Sequence, residues 1–298
     1  MPRVLGVDVS LGRGHDAVLM EDSVVKEIRT KLGAGQLRGL LRELRPDAVA
    51  IDSPPKKGLG LMAKKSERLR LPVPPRPGTH LARRVAEYEL SRRGIGSHQT
   101  PADETRLFSW MTAGFEAFVA AQEAGYPPYF GQDVREGTAF EVFPYAAYVT
   151  LAGCLSPGRR WRLAWRRAVL GEAGVSGLPE DAAIDTLDAA CAALTGERFL
   201  RGEGSFVGDP REGLIVLPVA QIQDAYRRCA PPGRGIHPEQ PVTAPRLCEC
   251  GCGRPVRRRF LPGHDAKLKS RLIGEVRNGD AARAELSRLG WTHFLEEE

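Results

Sequence analysis

The stretch PRVLGVDV, residues 2–9, places one carboxylate inside an apolar run. Its valines and leucine predict a buried β-strand, because branched apolar side chains suit the interior of a sheet. Asp8 lies within that run, and a carboxylate in apolar surroundings costs several kcal/mol unless a positive charge meets it. Two explanations are open: Asp8 caps a turn at the end of the strand, or it binds a cation.

The composition is typical of a globular protein. The chain has 298 residues, of which 42% are apolar and 27% charged, and this length suits one large domain or a medium domain with an appendage. No apolar run approaches the ~20 residues of a membrane span, and the N-terminus enters a strand instead of a signal peptide. We therefore expect a cytoplasmic protein with no membrane partner. The net charge of +6 favours an anionic partner, nucleic acid first.

The predicted elements follow a recognisable order. Periodicity predicts strands over 3–9, 16–20 and 23–30, a helix over 35–44, a strand over 47–52, helices over 79–94 and 103–125, a strand over 138–144, and helices over 161–170 and 179–196. A Pro-, Arg- and Lys-rich insertion from 54 to about 77 is expected to be a loop or lid outside the core. Without the insertion, the order resembles the ribonuclease H-like fold, an α/β fold with a mixed central sheet and helices on both faces.

Acidic residues that are remote in sequence are predicted to meet in such a fold. Asp8 lies on the first strand and Asp52 ends the fourth, whereas Asp185 and Asp188 share one face of the last helix. Gathered carboxylates repel one another and take up protons unless a cation joins them. Hard oxygen ligands suit Mg²⁺ or Mn²⁺. The alternative is that Asp185 and Asp188 lie on a solvated helix face.

Five short motifs, taken in their order, resemble the DUF429 family of uncharacterised proteins, which are expected to be nucleases of the ribonuclease H-like fold. They are GVDVS, VAIDSP, FEVFP, DTLDAACAA and VGDPREGLIVLP, and the resemblance covers roughly residues 3–220. The DTLDAACAA helix is also similar to the last catalytic helix of Holliday-junction resolvases of the RuvC type.

The resemblance implies a set of catalytic residues. Asp8, Asp52 and Asp188 would be metal ligands, and Asp185 a fourth acidic residue beside them. Glu141, in the EVFP motif, is drawn into the catalytic site as a further acidic residue of the family pattern. The residues around Glu141 leave a second interpretation open, since a glutamate on an alternating strand can point outward.

Two basic segments have two interpretations each. The family commonly carries a small residue and a tryptophan after the first strand, where this chain has SLGRGHDAV; Arg13 and His15 in that turn either approach a phosphate or are solvated. The motif RRVAEYELSRRG, residues 83–94, is typical of a salt-bridged surface helix. A phosphate-guiding role for Arg83 or Arg84 is the second possibility, because the family also tends to have an arginine and a glutamate here.

The tail is predicted to be a separate module. We expect a ribonuclease H-like domain over 1–229, a Pro-rich linker over 230–245 and a basic Cys/His segment with a terminal helix over 246–298. Cys248, Cys250, Cys252 and His264 offer three thiolates and one imidazole, the donor set of a structural Zn²⁺ site. The alternative is that the thiols are redox-active or unligated. The basic residues around them suit contact with a nucleic-acid backbone.

These observations favour a metal-dependent nuclease that hydrolyses phosphodiester bonds in DNA or RNA through a two-metal carboxylate site. One alternative is a non-catalytic nucleic-acid-binding or interaction protein that keeps the fold. The other is a relative of the phosphate-binding ATPases and kinases. That last class needs a second glycine-rich phosphate turn with its own aspartate, and the sequence shows none.

Overall fold

A computed structural model of the chain describes residues 1–76, 78, 80–230, 248–250, 252, 260, 264–276, 280–289 and 291, with residue 280 described without its side chain. Contacts divide the chain into two compact units, Met1–Gly233 and Arg234–Glu298. Apart from residue 230, the predicted linker over 230–245 lies outside the described residues. Among the residues that the structure describes, no helix combines the length and apolar character needed to cross a membrane.

A seven-stranded mixed sheet forms the centre of the first unit. Its strands are β1 (Arg3–Asp8), β2 (His15–Glu21), β3 (Val24–Leu32), β4 (Ala48–Asp52), β5 (Ala139–Val142), β6 (Ser205–Asp209) and β7 (Gly213–Leu217). They lie in the order β3-β2-β1-β4-β5-β7-β6. Strands β1 to β3 pair antiparallel, β1, β4, β5 and β7 pair parallel, and β6 returns antiparallel. This arrangement, with helices on both faces, confirms the predicted ribonuclease H-like fold.

Helices cover both faces of the sheet. Those of the first unit are α1 (Ala34–Leu44), α2 (Lys65–Arg68), α3 (Val85–Arg92), α4 (Ser109–Glu123), α5 (Pro144–Ala152), α6 (Arg162–Glu172) and α7 (Ile184–Leu200). Short 3₁₀ helices occupy Leu61–Ala63, Glu104–Arg106 and Arg159–Trp161. Alternate residues of β1 and β4 pack with α1 and α4 on one side and with α7 on the other, as strand alternation requires.

Close packing of α7 on β1 positions the acidic residues. A Cβ atom on Gly6 would lie 2.0 Å from the backbone oxygen of Ala189, so only glycine permits this approach. Gly196 was expected to end the helix, but it lies inside α7, which continues to Leu200. The reason is the same close packing, since a Cβ atom there would lie 2.6 Å from Val4 Cγ1. The helix therefore crosses β1 at nearly backbone contact.

Other boundaries differ from the prediction. The helix expected over 79–94 is confined to α3, and that expected over 103–125 begins only at Ser109. Asp103 accepts a hydrogen bond from the Thr105 amide and so caps the 3₁₀ turn that precedes α4. Part of the insertion is buried, because Leu61 and Met62 pack on α3. Helix α5 was not predicted.

A disulfide joins two cysteines to which the sequence analysis assigned no partner. Cys154, just after α5, is bonded to Cys229, 75 residues later. The adjacent backbones are also paired, because Leu155 N donates to Arg227 O and Cys229 N donates to Leu155 O, both at 2.8 Å. The segment that leaves β7 is thereby fastened to the loop after α5.

The second unit has a small apolar core of its own. It contains α8 (His264–Glu275) and α9 (Asp280–Leu289), which pack through Leu268, Leu272 and Leu286. The ring of Phe260 stacks on Trp291 with centroids 5.6 Å apart. Many of the basic residues that were predicted to contact nucleic acid here, including 254 and 257–259, lie outside the described residues.

Candidate active site

Two aspartates end neighbouring parallel strands. Asp8 is the last residue of β1 and Asp52 the last of β4, and the two are directly paired in the strand register. Strand alternation turns both side chains to the face that α7 covers. Asp8 is 8% exposed, and the charge of Asp52 acts on its carboxyl group. The carboxyl ends of β1 and β4 therefore share one acidic pair.

The N-terminal turns of α7 bring two more carboxylates to this pair. Asp188 is 6% exposed, and its Oδ2 accepts a hydrogen bond from Arg166 of α6. Its other oxygen, Oδ1, is buried and has no hydrogen-bond partner in the described part of the chain. Asp185 is half-buried and forms a 2.9 Å ion pair with Arg13. We call Asp8, Asp52, Asp185 and Asp188 the aspartate cluster.

The pKa values of the cluster reflect burial and mutual repulsion. Burial, then the charges of Asp52, Asp188 and Asp185, raise the pKa of Asp8 to about 10. Burial and Asp188 raise the pKa of Asp52 well above its ordinary value. Burial raises the pKa of Asp188 to about 6, although Arg166 opposes that shift. Without a cation, the cluster therefore holds protons at neutral pH.

The cluster fits a divalent cation. It offers carboxylate oxygens only, which is the donor chemistry that Mg²⁺ and Mn²⁺ prefer. The buried Oδ1 of Asp188 lacks the partner that a buried polar atom normally has, and a cation would supply it. A cation would also offset the repulsion that raises the pKa of Asp8.

Glu141 lines a cleft that it shares with Asp52 and Asp188, and its charge contributes to the raised pKa of Asp52, but its carboxylate is held by an arginine. Along β5 it alternates with Phe140, so it lies on the sheet face opposite to Asp52, on the side of Ile51. Both of its oxygens accept hydrogen bonds from Arg84, Oε2 at 2.7 Å from Nη1 and Oε1 at 2.6 Å from Nη2. The carboxylate is 4% exposed, so its oxygens are occupied by a buried arginine.

Arg84 is the centre of a hydrogen-bonded group that we call the Arg84 network: Arg84, Glu87, Thr100 and Glu141. Its Nε donates to Glu87 Oε1 at 3.0 Å, while Thr100 donates to both oxygens of Glu87. Burial would lower the pKa of Arg84, but its two carboxylate partners raise it above the ordinary value. Arg84 is 1% exposed, and all three of its guanidinium nitrogens donate to protein oxygens. Arg84 thus connects α3 to β5.

The remaining predicted basic residues are divided between surface and interior. Arg83 is half-buried and donates to Ser97 Oγ at 3.1 Å. Arg13 is exposed and pairs with Asp185. His15 is buried, contrary to the solvated alternative for this turn, and burial lowers its pKa.

Three important residues were missed at the sequence level. Arg166 follows Trp165 on the buried side of α6, and a charged residue beside an apolar stripe was the available signal. Glu212 is fully buried and accepts hydrogen bonds from the amides of Leu59 and Val85, which ties the insertion to α3. For Glu87, the available signal was its place in RRVAEYELSRRG, where the family tends to have an arginine and a glutamate. Its role arises only because Thr100 and Arg84 converge on it in the fold.

A cleft of about 340 Å³ lies beside the cluster. Asp52 and Asp188 line it, and Arg162 and Arg166 of α6 face them. His98 and Trp110 contribute aromatic surface, with ring centroids 5.4 Å apart. An anionic group in this cleft would lie between a cation held by carboxylates and two guanidinium groups.

In the second unit, the four predicted zinc ligands come together. The ligand atoms of Cys248, Cys250, Cys252 and His264 all lie within 4.8 Å of one another. Cys250 Sγ is 3.1 Å from His264 Nδ1, and Cys248 Sγ is 3.3 Å from Cys250 Sγ. Three sulfurs and one imidazole at these distances could hold a metal ion.

Comparisons with known proteins address the family and the fold. The model of DUF429, described as a protein of unknown function, matches residues 6–212. None of the curated proteins compared with this chain matches it. A solved structure of RuvC from Thermus thermophilus is similar to the chain, with 16% sequence identity and a TM-score of 0.34, over 67% of this chain and 96% of that one.

Proposed function

This chain belongs to the DUF429 family, and we propose that it is a metal-dependent nuclease that hydrolyses phosphodiester bonds in DNA or RNA. The observation that carries this proposal is the aspartate cluster, which gathers four carboxylates at the ends of β1, β4 and α7 and leaves a buried oxygen of Asp188 unpartnered. Carboxylates so arranged are costly unless a cation is bound.

Asp8, Asp52 and Asp188 are the proposed ligands of Mg²⁺ or Mn²⁺, with Asp185 beside them. A bound divalent cation would supply Lewis acidity and lower the pKa of a bound water. Asp8 and Asp52 present one edge of the site because the strand register holds them side by side. Arg166 keeps Asp188 oriented through its hydrogen bond to Oδ2, so that Oδ1 remains available.

Arg162 and Arg166 are proposed to orient the scissile phosphate. Arg162 is exposed and lines the cleft, and its charge acts on Asp188. Guanidinium groups suit phosphate because their donors match two oxygens at once. Glu141, by contrast, is proposed to act as a positioning residue through Arg84.

The test is a cleavage panel with Mg²⁺ or Mn²⁺ on single-stranded, duplex, hybrid and branched nucleic acids. We expect cleavage by the full chain and its disappearance in Asp8→Asn and Asp52→Asn. The matched control is Asp133→Asn, since Asp133 is an exposed aspartate in the loop before β5. Thermal melting with and without Mn²⁺ provides a second readout, because only the cluster variants should lose stabilisation by the cation.

Three results are decisive. Cleavage that persists in Asp8→Asn and Asp52→Asn would remove the site assignment. Cation-dependent stabilisation without cleavage of any substrate would favour the non-catalytic nucleic-acid-binding alternative. Absence of both effects in the unaltered protein would refute the proposal.

We also propose that Cys248, Cys250, Cys252 and His264 hold a structural Zn²⁺ ion. The purified full chain is expected to contain one equivalent of zinc by elemental analysis, and Cys250→Ser should lower that content. Cys191→Ala is the control, because Cys191 is a buried thiol of α7 in the other unit. An unchanged zinc content in Cys250→Ser would contradict the assignment.

A further inference from the structure

A second concave surface of the first unit opens beside the active-site cleft. This groove has a volume of about 440 Å³, and Arg159, Arg162, Arg166 and Arg228 line it. Arg162, Arg166 and Tyr145 also line the cleft that contains Asp52 and Asp188. The two concave surfaces are therefore continuous across the N-terminal turn of α6.

The groove concentrates positive charge that the fold leaves uncompensated. Arg159, Arg162 and Arg228 are exposed, and in the described part of the chain none of them forms an ion pair with a carboxylate. Neighbouring Arg160 lies over the ring of Trp161, 5.5 Å from its centroid. Arginines on a protein surface commonly find acidic partners, as Arg211 does with Asp209 and Glu67. The three exposed arginines of the groove lack such partners in the described structure, whereas Arg166 pairs with Asp188, so the charge of those three is available to an external anion.

The walls of the groove are held in place by covalent and backbone bonds. One wall is the loop after α5, and the other is the segment that carries Arg228. The Cys154–Cys229 disulfide joins them, as does the donation from Cys229 N to Leu155 O. Arg228 Nη1 also donates to Ser156 O at 3.3 Å. A binding surface that is organised in advance loses less entropy when a ligand binds.

We propose that this groove binds the sugar–phosphate backbone of a single strand of nucleic acid and leads it to the aspartate cluster. The proposal rests on the proposed nuclease function, which it deepens by naming the path of the substrate strand. Arg159 and Arg228 would contact phosphates adjacent to the one that Arg162 and Arg166 orient. Tyr145, half-buried where the groove meets the cleft, offers a ring on which a base can stack.

Nucleic acid explains the groove better than an acidic protein segment does. A phosphodiester chain carries its charges at regular intervals, so one strand can occupy the groove and the cleft together. An acidic peptide would also be attracted by the arginines, but it has no phosphodiester group that the adjoining cleft could bind. Continuity between the basic groove and a proposed phosphodiester site therefore favours a nucleic-acid strand.

The test measures binding separately from cleavage. Fluorescence anisotropy of a labelled single-stranded DNA is followed in EDTA with the Asp8→Asn full chain, which is not expected to cleave. Into that protein, Arg159→Gln and Arg228→Gln are introduced together. The charge-matched control carries Lys26→Gln and Arg45→Gln. Both control residues are exposed and form no ion pair in the described structure, and they lie at the end of the sheet opposite to Asp8 and Asp52.

Removal of two phosphate contacts is expected to lower the slope of log affinity against log salt by about 1.4, and the affinity at about 0.1 M salt by roughly 20-fold. The control pair should change the affinity by less than a factor of about three. Equal losses in the two pairs would overturn the proposal, and so would absence of DNA binding by the Asp8→Asn parent. Displacement of the DNA by poly-glutamate of equal charge would also overturn it, because the groove would then recognise charge alone.

The outcomes separate this proposal from the nuclease proposal. One outcome is that Arg159→Gln with Arg228→Gln weakens DNA binding while the unaltered chain cleaves nothing under any cation. That outcome would support the proposed strand-binding groove and refute the nuclease function. Cleavage that depends on Asp8 and Asp52, together with equal DNA binding by the groove variant and the control variant, would support the nuclease function and refute the strand-binding groove.

Discussion

The aspartate cluster, taken together with its partner Arg166, and the Arg84 network both bury an arginine with carboxylates, but they differ in how fully their polar atoms are satisfied. In the Arg84 network both oxygens of Glu87 and of Glu141 accept hydrogen bonds. In the cluster, Asp188 Oδ1 and Arg166 Nε are buried without a partner in the described structure. A buried network whose polar atoms are all hydrogen-bonded stabilises a fold. A cluster of like charges with unpartnered polar atoms is expected to bind a ligand of opposite charge, here a cation.

The largest expected effect follows from removal of the arginine at the centre of the Arg84 network. Arg84→Met would leave Glu87 and Glu141 buried without their cation, and we expect the free energy of unfolding to fall by about 3–5 kcal/mol. Urea unfolding followed by circular dichroism measures it. Arg211→Met is the matched control, because Arg211 also contacts two carboxylates but is 49% exposed, so its loss should change the free energy of unfolding far less. Equal costs would contradict a structural role for the buried network.

Glu141→Gln tests whether Glu141 contributes to fold stability through the Arg84 network or to cation binding in the aspartate cluster. The amide keeps one hydrogen bond to Arg84 and loses the charge, so the free energy of unfolding should fall by about 1–3 kcal/mol. Stabilisation by Mn²⁺ should persist, since both oxygens of Glu141 accept hydrogen bonds from Arg84. Melting curves with and without the cation compare this variant with Asp52→Asn. If Glu141→Gln abolished the Mn²⁺ effect, Glu141 would join the metal ligands, as the family resemblance implied.

Asp8→Asn is expected to raise the free energy of unfolding, in contrast to the two substitutions in the Arg84 network. Without a divalent cation, Asp8 must take up a proton to be buried in the aspartate cluster at neutral pH, and Asn needs none, so the substitution should raise the free energy of unfolding at neutral pH by about 0.5–2 kcal/mol. Asp133→Asn, at an exposed position, should change it by less than about 0.5 kcal/mol. Chemical unfolding in EDTA measures both. A cluster variant less stable than the control would show that Asp8 stabilises the fold and is not strained by its neighbours.

The last expected effect is a pH dependence. Burial and the neighbouring aspartates raise the pKa of Asp8 from 3.8 to about 10, so the folded state binds more protons than the unfolded state between these values. In EDTA, stability should therefore fall as the pH rises through this window. Binding of Mn²⁺ should release about one proton at neutral pH. Titration calorimetry in buffers of different ionisation enthalpy measures that proton. Its absence would mean that Asp8 is already ionised.

Local patterns predicted much of the fold. Strands β1 to β5, helices α1 and α7 and the order of elements follow from apolar runs and helical periodicity. The approach of the four aspartates was also predictable, because strand order in this fold places β1 beside β4. Helix ends were less predictable. Gly196 has the residue type of a helix end but lies inside α7, since contact with Val4 requires a residue without a side chain.

The sequence by itself determined which acids could meet, because Asp8 and Asp52 end apolar runs and Asp185 and Asp188 share a helical face. Only the tertiary structure decided which of them have partners. Arg166 reaches Asp188 from 22 residues away and Arg84 reaches Glu141 from 57, and no local pattern encodes either pairing. Likewise, Cys154 and Cys229 meet across 75 residues. Periodicity reports the face on which a residue lies, whereas a hydrogen bond depends on where a distant segment places its donor.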